Sequence, residues 1–113
     1  MRESFDFSQL FAGEVGHIVR VPVSGATVKR GDILVGTVTS GAVAANFAKA
    51  TEDAKVGNIY VVCADTVENY TGEVVAYADG YFDAAQVKIN DTALTKASKL
   101  ALMASKIFVL HTN

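Results

Sequence analysis

Ile59-Tyr60-Val61-Val62-Cys63 is the stretch whose reading decides the fold. It is apolar at both odd and even positions. Successive side chains of a strand point to opposite faces, so a strand that is apolar on both needs cover on both. The stretch is short for a buried helix, and its β-branched and aromatic residues suit a pleated surface. It therefore reads as a central strand, with the rest of the chain supplying a layer on each side.

Strand signals surround it. Upstream, Val15, Val19, Val21 and Val23 alternate with Arg20 and Pro22, a half-buried strand whose proline belongs at an edge or exit. Ser24-Gly25 then reads as a turn, and Lys29-Arg30-Gly31-Asp32 as a polar turn between Val28 and Ile33-Leu34. A strand through Val35, Thr37 and Thr39 ends at Ser40-Gly41. Residues 42–50 are alanine-rich around Phe47 and fit either a short helix or a loop leading into a short strand.

Downstream, residues 65–72 read as a polar loop and residues 73–78 as a strand. Asp79-Gly80 is a hairpin signal, with residues 81–89 returning. Asn90, Asp91 and Thr92 offer side-chain oxygens to the free amides of a helix start, and a helix is expected over residues 92–105. Leu94, Ala97, Ala101 and Ala104 would form its apolar face. Ile107 to Leu110 would close the sheet as a last strand. The expectation is a mainly β domain, a small β-barrel, over residues 15–113 with one C-terminal helix, preceded by an arm at residues 1–14. The arm carries Phe5, Phe7, Leu10 and Phe11. Four large apolar groups so close together either fold back on the domain's own core or dock on a partner.

Composition narrows the functional classes. A chain of 113 residues accommodates one domain. Hydrophobic residues make up 50% and charged residues 19%, a surplus that points to surface covered by subunit association, with a generous core as the alternative. The net charge is −2, and Lys29-Arg30 is the one adjacent basic pair, which is poor equipment for gripping nucleic acid. No stretch is long and apolar enough for a membrane-spanning helix. Met1 to Asp6 does not read as a signal peptide, which with a single Cys63 suggests a protein made and kept in a cytoplasm.

The chemistry-bearing residues do not assemble into a motif. A structural zinc site needs four nitrogen or sulfur ligands, and His17, His111 and Cys63 are the only histidines and cysteine in the chain. Cys63 paired with a histidine would be a nucleophile, but its apolar setting favours an inert thiol. Asp65, Glu68, Glu73, Asp79 and Asp83 fall at expected turns or strand ends, where solubility explains them. Asp79 and Asp83, flanking one expected hairpin, are the pair placed to chelate a cation, but no EF-hand spacing accompanies them. No glycine pattern opens a helix as a phosphate loop would. Val28 to Leu34 is similar to a segment of biotinyl and lipoyl carrier domains, yet Asp79-Gly80 lacks the acceptor lysine those domains carry at a hairpin tip. No enzyme, cofactor or metal site is expected.

The order of elements carries a resemblance. An aromatic arm, then Gly31-Asp32-Ile33-Leu34, an alanine-rich segment with Phe47, Gly57-Asn58-Ile59-Tyr60-Val61-Val62, Gly72-Glu73-Val74-Val75-Ala76-Tyr77 and a hairpin to Val87 and Ile89 follow one another. Over residues 25–89 this resembles the lambda-type head decoration proteins of tailed bacteriophages and related capsid-fibre bases. The resemblance implies a β-clip-like fold, a homo-oligomer (a trimer), and the major capsid protein as partner on the virion surface. It also implies that the arm, with Phe5, Phe7, Leu10 and Phe11, contacts the shell. The alternative is a small ligand- or carbohydrate-binding β module using Tyr60, Tyr70, Tyr77 and Tyr81 as a stacking face.

Overall fold

A computed structural model describes residues 17–110. The arm, and with it Phe5, Phe7, Leu10 and Phe11, lies outside the described residues, as does His111. In chain order the elements are β1 (Ile18–Val28), β2 (Ile33–Gly36), β3 (Val38–Thr39), β4 (Ala42–Val43), β5 (Ala48–Lys49), β6 (Ile59–Cys63) and β7 (Val67–Tyr77). They continue with β8 (Gly80–Asp83), β9 (Lys88–Ile89), β10 (Thr92–Ala93), helix α1 (Lys96–Leu102) and β11 (Ile107–Leu110). The fold is mainly β with one short C-terminal helix, as the sequence pattern implies.

β6 is the middle strand of a five-stranded antiparallel sheet ordered β1-β7-β6-β2-β5. The sheet curls until its ends meet, where the Phe47 amide donates to the Pro22 carbonyl at 2.7 Å, giving a nearly closed barrel. A strand residue's N–H and C=O point to the same side. Pro22 therefore turns its missing N–H toward this seam and away from β7, so it costs the ladder no bond. Phe47 covers the seam by lying on Gly36, where an added Cβ would come within 2.7 Å of the ring.

Two cores follow from the alternation along β2, β6 and β7. Leu34, Val61, Cys63, Val74 and Ala76 point into the barrel with Val21, Val23 and Val28 of β1. Ile33, Tyr60, Val62 and Tyr77 point outward. There they pack against Phe82, Val87, Ile89, Leu94, Leu102 and Ile107 of the C-terminal segment. The double-sided apolar pattern of β6 is explained by these two layers.

Several local expectations are corrected. β1 does not stop at Ser24-Gly25. Gly25, at φ +58°, absorbs an irregularity in register, and Ala26 and Val28 pair again with Tyr70 and Val67. Residues 67–72 are correspondingly strand, where a loop was expected; most of them are exposed, so polar side chains carry no burial cost there. The Asp79-Gly80 turn makes no hairpin with β7, because β8 leaves the barrel and pairs in parallel with β11. β11 thus joins β8 and not the large sheet.

The helix begins four residues later than expected. Asn90 and Asp91, at φ +54° and +62°, form the turn of the β9–β10 hairpin. Two consecutive left-handed residues match the twist of a tight hairpin, which Asn and Asp tolerate well. Thr95 caps α1 instead, accepting from the Ser98 amide at 3.1 Å. The buried face of α1 is Ser98 and Leu102, while Ala97 and Ala104 are exposed. Ser98 is tolerated inside because its hydroxyl donates to Asp53 at 3.1 Å and accepts from the Ala54 amide at 3.0 Å.

Candidate functional site

The candidate residues of the sequence disperse. Cys63 is fully buried, its thiol donates to the Asp65 carbonyl at 3.1 Å, and burial pushes its pKa up to about 11. His17 is exposed and engages Asp79: its amide donates to Oδ1 at 2.8 Å and its Nδ1 lies 2.9 Å from Oδ2. The two residues each have partners of their own, and no nucleophile–base pair forms between them. Asp83 accepts from the Ala85 amide at 2.9 Å and Asp65 from the Val75 amide at 2.8 Å, both in chain-shaping roles. Among the described residues, no three His, Cys, Asp or Glu side chains gather where a metal ion could sit.

The tyrosine face is also absent from the described residues. Tyr60 and Tyr77 are buried in the outer core, with Tyr77 tilted against Phe82 at 6.1 Å. Tyr81 stacks on Phe108 at 4.9 Å on the β8–β11 pair. Tyr70 lies along the β1–β7 ribbon beside Gly72. Tyr77 ends a barrel strand, while Tyr81 belongs to the strand pair outside it.

What the fold does bring together is a charged cleft. Lys29 follows β1, Asp32 precedes β2, Lys49 ends β5, and Asp91 tips the β9–β10 hairpin. With Thr66, Val67 and others they line a cavity of about 490 Å³. The exposed Asp91 carboxylate bridges the two ammonium groups, 3.2 Å from the Nζ of Lys29 and 3.2 Å from that of Lys49. Asp32 is 1% exposed. Its Oδ2 accepts from the Lys29 amide at 3.0 Å and stands 3.9 Å from Lys49 Nζ, while Oδ1 has no hydrogen-bond partner among the described residues. Sequence reading took residues 29–32 as a polar turn. The only signal against it was an aspartate directly before the apolar Ile33-Leu34, since Lys49 and Asp91 are remote in sequence.

Two carboxylates, Asp79 and Asp91, titrate low. Asp79 is held below the ordinary carboxylate value, first by the His17 amide and then by the His17 side chain. Asp91 is held below it by hydrogen bonds from Lys29 and Lys49. A folded-state pKa below the unfolded one, near 3.9, stabilises the fold above that pH, and the contribution vanishes as pH falls through the folded values. Urea midpoints should therefore be level from neutral pH down to about 5 and fall below about 4. The Asp79→Asn/Asp91→Asn double variant should show a shallower fall; an unchanged acid limb would refute the assignment.

Comparison with known protein families, with curated proteins and with solved structures finds no match.

Proposed function

We propose that this chain is a structural virion protein that binds the outside of a phage capsid and stabilises it, without catalysis. The observation that carries the reading is where the arm's sequence enters the fold. Residues 1–14 lead into β1, an edge strand of the barrel sheet, at an Ile18 that is 57% exposed. Phe5, Phe7, Leu10 and Phe11 on such a lead-in suit docking on a shell, where backbone pairing gives affinity and apolar side chains act as anchors. Further apolar side chains, Val43, Val56, Leu100 and Met103, stand exposed on the monomer and favour a homo-oligomer, a trimer in this reading. Binding the assembled shell in preference to the free capsid subunit would stabilise it by mass action, with no turnover. The site of action would be the virion surface, after synthesis in the host bacterial cytoplasm.

Sedimentation with expanded and unexpanded shells of the parent phage tests this. The protein should pellet with the expanded form, and failure to pellet with either form would sink the reading. Deletion of residues 1–13 should weaken pelleting while leaving the thermal transition in place. Undiminished pelleting would show that the arm is not the anchor.

A further inference from the structure

We propose that the cleft between Lys29, Asp32, Lys49 and Asp91 binds a neutral polyhydroxylated ligand of monosaccharide size, seated on the buried carboxylate of Asp32.

The starting point is the unpartnered Oδ1. A buried carboxylate oxygen without a donor is costly, and it draws in any group that can bring a proton. Asp32 cannot relieve this within its own turn, because Oδ2 already takes the Lys29 amide and the backbone is committed. The Asp32 amide donates to the Lys29 carbonyl, and its carbonyl accepts from Cys63 at 2.8 Å. Lys49, at 3.9 Å, is beyond hydrogen-bonding distance.

Charge selects the class of ligand. A small cation would meet two ammonium groups, and among the described residues no set of three ligating side chains awaits it. An anion would meet three carboxylates, Asp32, Asp91 and Glu68, against two ammonium groups, Lys29 and Lys49, that both already contact Asp91. A hydroxyl suffers neither repulsion, since it donates and accepts at once. One hydroxyl can donate to Asp32 while its neighbour accepts from a lysine, as vicinal hydroxyls of a sugar would. Val28 and Val67 supply apolar wall for the C–H face of a ring. The cavity, about 490 Å³, lies within the usual range of small-molecule sites. Oδ1 is shut off from solvent as the cleft stands, so the ligand reaches it only when the side chains over it move aside.

The test is an amide-shift titration of the isotope-labelled chain with methyl hexosides and inositol, alongside acetate and methylammonium as charged probes. At least one polyol should shift the amides of Lys29, Asp32 and Lys49 saturably, with millimolar affinity, and neither charged probe should. Asp32→Asn keeps an acceptor for the Lys29 amide but places an NH₂ group at the other position, and should weaken binding at least about tenfold. Lys49→Met removes the donor from a side chain 27% exposed and should weaken binding comparably, which keeps the test decisive if Asp32→Asn does not fold. Absence of saturable shifts with every polyol, saturation by acetate or methylammonium instead, or undiminished binding by whichever of these variants folds would each overturn the proposal.

Discussion

Phe82→Ala is expected to destabilise the domain by about 3–5 kcal/mol, the range for truncating a fully buried phenylalanine. Domains of this kind have only about 5–15 kcal/mol in total, so a large share of the stability would go. Phe82 is fully buried in the outer core and packs against Tyr77 of the barrel, while its own strand pairs with β11. It therefore ties the C-terminal segment to the barrel wall, and the cavity left by alanine would open between two units that cannot readily collapse together. Urea denaturation measures the loss, and hydrogen exchange locates it: protection should fall more in β8, α1 and β11 than in β6. A loss under about 1 kcal/mol would mean that the two layers are held by something other than this packing.

The thiol of Cys63 should be almost inert in the native protein and reactive at once on unfolding. Its pKa, raised to about 11 chiefly by burial, leaves roughly 0.1% thiolate at pH 8, against roughly a quarter for an ordinary thiol of pKa near 8.5. Ionisation alone then slows labelling by about two hundredfold, and steric closure inside the barrel slows it further. Labelling with a disulfide reagent should rise steeply across the urea transition, with its midpoint on the unfolding midpoint. Rapid native labelling would show that the barrel interior opens far more often than its packing allows. Cys63→Ser should leave the fold intact, because the hydroxyl can keep the bond to the Asp65 carbonyl.

Legibility differed from element to element. The two-sided burial of Ile59 to Cys63 was readable because strand alternation is local and both faces were apolar. Pro22 was readable as an edge marker for the same reason: its missing amide constrains where it can stand. The Asn90-Asp91 pair misled because one chemistry serves two structures. Short oxygen-bearing side chains cap helices and also tolerate the left-handed turn of a hairpin, and only the pairing of Thr92 with Ile89 selects the latter. The polar stretch after Asp65 was taken for a loop because a strand exposed on both faces has no hydrophobic period to betray it.

The sequence by itself determined the β class, the central strand, the C-terminal helix and the burial of the lone thiol. All of these rest on side-chain period and composition, which act over a few residues. Tertiary structure alone decided that β8 would abandon the barrel for β11. It alone also decided that Lys29, Asp32, Lys49 and Asp91 would share one cleft. Those pairings join residues far apart in the chain, and their free energy resides in surfaces that do not exist until the barrel closes.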